Sequence, residues 1–598
     1  MKFNVTSILI LLLHFIIFNY SFLIETKATI RYVSKTGSST PPYTSWATAA
    51  DSIQKCINIC EDGDTIYVAN GVYKEYLRIN KEITLIGSSM DSTIIDGTGL
   101  SDTTIYVDNQ RSFNMKNFTI LGKNREDQTR ALYLLNNLSG INTPFKIENC
   151  KIKNSRGGIL AELINAKNII FDIKTSAIGL NWVLQNQISS IENCVINNPE
   201  FEGIGIGKGL YIIRNNILIN ENPNNIAAGI DVALTKSFII QNNLISGFQK
   251  NIYVDIVYDT SYIYNNISAN RPPNWIGGSI DVSSVEKVIN NIFKDNKSPA
   301  LYGPATTPNN YNLFWNNTSN FSRILPGDST FYVDPMFVKD TIPRYGGSWD
   351  YHIQAYSPAI DKGDPTILDP DGSRSDIGMY GGPFGQIYTY QDLAPRQPRN
   401  LTAVVDSGRV ILRWKKNTEA DTSHYNIYRS TTSNFTIDST KLIGSTKDTS
   451  FINTYLPIYE RLYYKITCVD RQGNQSQPSE EIMINLTSIS EYPTVVNDYY
   501  LYQNYPNPFN PSTKIGYKIK ERGYVKLMVY DIKGEQIAVL VNQEQEAGYY
   551  EVEYGVGNGL LSVPDTGIAS GIYIYRIEVI GEGNIPVYTE MKKMMLIK

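Results

Sequence analysis

Three short segments share one pattern, an aspartate between two apolar residues: Ile230-Asp231-Val232, Val254-Asp255-Ile256 and Ile280-Asp281-Val282. In an extended strand alternate side chains face opposite ways, so each aspartate points outward while its neighbours point inward. Strands laid side by side sit about 4.8 Å apart. Two carboxylates at that spacing repel by roughly 1 kcal/mol in water and about 3–4 kcal/mol at an effective dielectric near 20. A column of three therefore needs a cation, a basic side chain or a shared proton. Two chemistries meet that need: Ca²⁺ binding, or acid and base work by pairs of carboxyls. Glu162 on an earlier segment would extend the column, and Lys208, Lys250 and Arg271 are candidate partners from neighbouring turns. Trp182 and Trp275 are candidate surfaces for stacking a sugar ring. The plainer alternative leaves the aspartates solvated and paired with nearby Lys and Arg.

Such a column requires segments that recur in register, and the sequence supplies a ruler for them. Asparagines at 117, 149, 168, 193, 215, 242, 265 and 290 stand in closely similar surroundings, typified by Ile212-Ile213-Arg214-Asn215-Asn216-Ile217-Leu218-Ile219. Two residues before each lies Met115, Ile147, Ala166, Ile191, Ile213, Ile240, Ile263 or Val288, an unbroken apolar column. This is an internal repeat of roughly 25 residues. Each period holds three brief apolar segments and no amphipathic helix, so the segments are strands stacked coil upon coil into parallel sheets. Asn suits the tight bend between two strands, because it tolerates the left-handed region and its amide can bond to the Asn of the next coil.

Composition agrees with this. The chain has 598 residues, too many for one core, with 42 Tyr, 43 Gly and only 19 % charged residues, which favours turn-rich β-structure. A net charge of −4 gives no reason to expect nucleic acid. Five Cys in such a length are no disulfide framework, and three His nearly exclude His-based catalysis or metal binding. Lys2 followed by the apolar run Ile8 to Phe18 and polar residues from Glu25 has the layout of a secretory signal peptide, residues 1–28. The run is short for a retained transmembrane helix. Ile53, Cys56, Ile57 and Cys60 share one face of a short helix, Ser52 to Cys60, that closes one end of the apolar core. Both cysteines read as buried small hydrophobes.

The repeat, with the opening Ser52-Ile53-Gln54, Gly63-Asp64-Thr65-Ile66-Tyr67-Val68 and Gly71-Val72-Tyr73, resembles the right-handed parallel β-helix of the pectate-lyase-like type. The resemblance implies a β-helix over residues 29–385 and a cleft on the first sheet of each coil. By that rule the cleft strands are Gly158 to Glu162, Leu180 to Leu184, Gly203 to Gly207, Gly229 to Ala233, Ile252 to Ile256 and Gly278 to Val282. The Gly-His-Gly and Arg-Ile-Lys signatures of polygalacturonase-like members are absent, as is a clear lyase Arg motif. Lyase and glycosidase chemistry both stay open, since neighbouring and next-neighbouring Asp bracket the separations of retaining and inverting enzymes.

From 298 the period is lost. Asp369, Asp371 and Asp376 around a Gly turn resemble an oxygen-rich Ca²⁺ loop, with ordinary Asp/Gly turn chemistry as the alternative. The segment is expected to cap the open end of the coils. A linker, 386–398, contains Ala394-Pro395-Arg396-Gln397-Pro398. Residues 399–487, with Val410-Ile411-Leu412-Arg413-Trp414 and Tyr464 through Asp470, resemble a fibronectin type III module. In it Trp414 is a core aromatic and Tyr464 the expected tyrosine corner.

Residues 498–598 form a second small sandwich by their alternation. Gln503-Asn504-Tyr505-Pro506-Asn507-Pro508-Phe509-Asn510-Pro511-Ser512, Ala569-Ser570-Gly571-Ile572-Tyr573 and the terminal Lys592-Lys593-Met594 are similar to the type A C-terminal sorting domain of type IX secretion. That resemblance implies type IX machinery as a partner and secretion to the medium or outer surface of a Gram-negative cell. The sequence thus predicts an all-β chain, a β-helix followed by two small β-sandwiches. Its two function classes are a protein that binds or cleaves polysaccharide, with Ca²⁺ as candidate cofactor, and a non-catalytic surface adhesion or scaffold protein.

Overall fold

The computed structural model describes residues 28–598 except 101, 102, 108–111, 125, 127, 128, 135–142, 181–186, 226, 274, 275, 407, 408, 455, 457–460, 486–497, 557–561, 564–568, 582, 584 and 598. Trp182 and Trp275 fall outside the described residues, as does nearly all of the leader. Among the described residues no helix is long and apolar enough to cross a membrane. The chain divides into two compact units after Asp392.

The first unit is a stack of parallel coils. One face is an eleven-stranded parallel sheet running from Leu77–Ile79 to Ser319–Ser322, and nineteen further strands pair coil to coil on the other faces. Inward residues such as Ile204, Ile230, Ile252 and Ile280 are buried and stack in register along the axis. Helix Ile53–Asn58, capped by Ser52, covers the first coils with Ile53, Cys56 and Ile57, and Cys60 is buried beside it. All described cysteines are free and buried.

All eight repeat asparagines have positive φ, from 52° to 66°, at the bend between two strands. Their amides bond along the axis in places, as from Asn168 Nδ2 to Asn149 Oδ1 at 2.9 Å. The stronger ladder is made by the second Asn of each pair. Asn216, Asn243, Asn266 and Asn291 are buried, and each Nδ2 donates to the Oδ1 of the next at 2.9–3.1 Å, the last to Asn312, which follows Tyr311 and ends the ladder. Each Oδ1 also accepts the backbone N–H of the preceding member, so the amides replace ladder bonds that the bend removes.

One expectation for residues beyond 298 is corrected. The coils continue through Pro299–Tyr302, Leu313–Trp315 and Ser319–Ser322, although the asparagine spacing that revealed the earlier coils fades. The following segment first lies on the last coil, where Phe331 bridges Leu313 and Tyr332 meets Phe314, and then runs along a flank. Phe337, Tyr351, Ile353, Ala359, Ile377 and Met379 cover the outward apolar residues Leu244, Ile267, Ile292 and Leu313. Asn242 Nδ2 donates to Met379 O at 2.8 Å and Asn265 Nδ2 to Asp376 O at 2.9 Å, which ties the segment to the asparagine bends.

The second unit contains two antiparallel modules. In the first, a three-stranded sheet (Arg399–Asp406, Arg409–Lys415, Ser450–Asn453) faces a four-stranded one (Leu442–Thr446, Thr422–Ser430, Arg461–Asp470, Ile482–Asn485). Trp414 packs edge-on to Tyr425, and the buried Tyr464 hydroxyl accepts from Asn453 Nδ2 at 2.9 Å. The last module pairs two four-stranded sheets around Leu501, Ile515, Val525, Leu527, Tyr575 and Ile577. Tyr505 joins the modules, its hydroxyl donating to Thr440 O and Leu442 O at 3.3 Å.

Candidate functional site

The outward file on the eleven-stranded sheet is fixed by pairing register. It runs Arg78, Tyr106, Tyr133, Leu160, Gly179, Gly205, Asp231, Tyr253, Asp281 and Tyr302. The three aspartates therefore do not form one column. Tyr253 stands between Asp231 and Asp281, and Asp255 lies two residues further along the chain, just past the end of strand Lys250–Val254. The cleft strands Ala228–Val232 and Lys250–Val254 pair Val232 with Val254, not with Ile256. Glu162 is likewise outside the file, since Leu160 holds the position on its coil.

Four strands also break simple alternation. Arg130–Leu134, Glu202–Ile206, Ala228–Val232 and Lys250–Val254 each place two buried residues between outward ones, so residues three apart share the outer face. That brings Arg130, Glu202 and Lys250 onto the sheet beside the file. Glycines make room for them. A Cβ on Gly205 would meet Glu202 Oε2 at 1.9 Å, and one on Gly179 would lie 3.3 Å from Arg130 NH1. A Cβ on Gly277, at φ +97°, would meet Asp281 Oδ2 at 2.1 Å.

The charges are interlocked. Lys250 Nζ lies 2.9 Å from Asp281 Oδ2 and 3.6 Å from the centre of the Tyr253 ring. Burial pushes the Asp231 carboxyl up to about 6, with Glu202 and Asp255 adding repulsion and Lys250 opposing it. Burial also raises Glu202, against the attraction of Arg130, and lowers Arg130, against the attraction of Glu202. Tyr253 is raised by burial and then by Asp255, Asp281 and Asp231, so its hydroxyl keeps its proton among three acids. Arg271 is fully buried, its Nε donating to Gln249 O, and it faces Asp281 from beneath. Burial lowers it to about 10. Lys208 follows the strand on the margin that also carries the exposed Leu234 and Ile256.

Asp231 and Asp255 form the chemically distinctive pair. One strand step of about 4.8 Å and two residues of about 3.3 Å each put their Cα atoms roughly 8 Å apart. A carboxyl that holds its proton up to about pH 6, beside one on such a diagonal, can donate a proton to one side of a bond while the other activates water. Sequence patterning missed Arg130, Glu202 and Tyr253. The signal available was the glycine at the outward position of two successive strands, which marks space taken by a neighbouring side chain.

Asp369, Asp371 and Asp376 are separately engaged. Asp371 Oδ1 accepts from Ser373 N at 2.9 Å and Ser373 Oγ at 2.7 Å. Asp369 accepts from Asp376 N and Gly382 N, and Asp376 from Asp361 N at 3.0 Å and Tyr390 Oη at 2.8 Å. Their carboxylates form no cluster of three ligand oxygens within 4.8 Å among the described residues. Burial raises Asp376 to about 6.

No protein-family model matches the chain, and no curated protein matches it. Among solved structures, an Fn3-like protein from Clostridium thermocellum is 27 % identical over 15 % of this chain and 91 % of its own, at a TM-score of 0.13. The spore cortex lytic enzyme SleM of Clostridium perfringens is 20 % identical over 18 % of this chain and 32 % of its own, at 0.14. Chitinase ChiA74 from Bacillus thuringiensis is 17 % identical over 30 % of this chain and 29 % of its own, at 0.13. At such TM-scores these likenesses carry no argument about activity.

Proposed function

We propose that the protein is an exported β-helix that binds and hydrolyses a neutral polysaccharide along the outward file of its eleven-stranded sheet. Asp231 is the general acid and Asp255 the base that activates water. The observation that carries this reading is the diagonal Asp231–Asp255 pair on neighbouring coils: their Cα atoms stand roughly 8 Å apart, and the reading requires their side chains to hold the carboxyl groups about 6.5–9.5 Å apart, as in inverting glycosidases. Asp281, pinned by Lys250 and backed by Arg271, is a positioning residue that holds Tyr253 and its lysine in place.

Charge selects the substrate class. With Lys250 engaged by Asp281, Arg271 facing the same carboxylate and Arg130 set against Glu202, the strip offers the carboxylates of a polyuronate little countercharge, and a neutral chain is the better match. Tyr106 and Tyr133, stacked on each other with ring centres 5.6 Å apart and with the Arg78 guanidinium over the Tyr106 ring, extend the file with phenol hydroxyls that can hydrogen-bond a sugar. Delivery by the leader and by residues 498–598 through type IX secretion completes the proposal, on the motif resemblance alone.

A screen of the processed protein against neutral glycans and polyuronates, with and without Ca²⁺, tests it. New reducing ends from a neutral glycan support it, and unsaturated uronate products or no turnover contradict it. The surface-scaffold reading is favoured by one observation, that the Lys250–Asp281 pair fills part of the strip. Binding without turnover would point there.

A further inference from the structure

We propose that a cavity beside the strip is a binding site for a single neutral monosaccharide unit, such as a branch of the chain lying on the file. The cavity, about 320 Å³, lies in the turns that follow three successive strands of the eleven-stranded sheet, 257–260, 283–286 and 304–307. It is a hollow open to solvent, and its volume, at the lower end of the roughly 300–1,000 Å³ of small-ligand sites, admits one ring lying in it. Tyr258, three residues beyond Asp255 and 65 % exposed, stands at its edge as a stacking surface.

The lining suits a polyol. Thr260, Ser283, Ser284, Thr306 and Thr307 bring hydroxyls that donate or accept, and Asp259 and Glu286 bring acceptors. Backbone bonds hold the turns that carry these groups. Glu286 N donates to Ser261 O at 2.9 Å, Thr307 N to Pro304 O at 3.1 Å, and Val257 bridges Thr235 on the preceding coil. Asp259 is oriented by Thr260, whose N–H and hydroxyl donate to Oδ1 at 2.8 and 3.1 Å. Two carboxylates facing one small cavity disfavour an acidic sugar or a phosphate and leave a neutral sugar as the matching ligand.

The branch context rests on the proposed polysaccharide reading, but sugar binding by the cavity is measured apart from cleavage. Saturation-transfer NMR on the full processed chain would use the methyl glycosides of galactose, glucose, mannose, xylose, arabinose and fucose, with galacturonic acid as the charged control. The expected result is saturable binding of at least one neutral glycoside and none of the control. Tyr258→Ala and Ser284→Trp should each weaken that binding by about tenfold or more, while Asp231→Asn leaves it within about twofold. Circular dichroism identical to the parent establishes that each variant is folded. Absence of saturable binding by all six glycosides, or binding unchanged in both cavity variants, would overturn the proposal. Cleavage lost in Asp231→Asn with glycoside binding intact separates the two sites, and glycoside binding in a protein that cleaves nothing leaves the cavity standing while the hydrolase reading falls.

Discussion

Asp231 and Tyr253 are register partners on successive coils, and the Tyr253 ring stands between Asp231 and Asp281. Because the ring takes that place, Asp231 shares its immediate surroundings with Glu202 and Asp255, and it is these that add to the effect of burial on its proton. Lys250, lying on the same ring and bonded to Asp281, provides the countercharge.

Asp231 links the strip to stability in a defined direction. Its folded value, about 6, lies above the ordinary 3.8. Its contribution is therefore fully present below about pH 4 and is lost as pH rises through 6. Asp231→Asn removes the cost of ionisation, so denaturation at pH 7.5 should show the variant more stable by roughly 1–3 kcal/mol, with the difference vanishing near pH 4.

Lys250 opposes the rise of the Asp231 carboxyl. Lys250→Met should move the midpoint of that pH-dependent stability upward, and leave Asp281 buried without its ion-pair partner. A cost of about 1 kcal/mol at neutral pH is expected, read from urea melts, because Lys250 is partly exposed and Arg271 still faces Asp281.

The buried asparagine ladder predicts a core-like penalty for a polar residue. Asn266 donates to Ile240 O, Tyr264 O and Asn291 Oδ1 at 2.9–3.0 Å, and accepts from Asn243 N and Nδ2. Asn266→Ala should destabilise the first unit by about 3–5 kcal/mol, since each stranded buried group costs roughly 1–3 kcal/mol. Chemical denaturation followed by far-ultraviolet dichroism measures it.

The flank segment carries its own titration. Burial raises Asp376 to about 6 from 3.8, although Asp361 N and Tyr390 Oη donate to it. Its stabilising contribution is present below about pH 4 and lost as pH rises through 6. Hydrogen-exchange protection factors at 357–382, corrected for the intrinsic rise of exchange with pH, should fall between pH 4 and 7.5 in the parent, and Asp376→Asn should flatten that dependence.

The asparagine bends were legible because a residue in the left-handed region leaves a chemical mark, and all eight expected positions have it. The alignment of Asp255 with Asp231 was not, because strand alternation has a period of two and a slip of two residues leaves the pattern unchanged. Arg130 and Glu202 were hidden by the reverse effect, strands in which residues three apart face outward. The docking of the flank was illegible in another way. Asn265 and Asp376 are 111 residues apart, and nothing local in either stretch specifies the other.

The most direct measurement is the initial rate of reducing-end release from a neutral glycan across pH 4–8, for the parent protein, Asp231→Asn and Asp255→Asn. The parent rate should fall about tenfold per unit above pH 6 as Asp231 loses its proton, and each variant should lose about 10²-fold or more. Neutral-glycan turnover that survives in both variants, or none in the parent at any pH, would contradict the account.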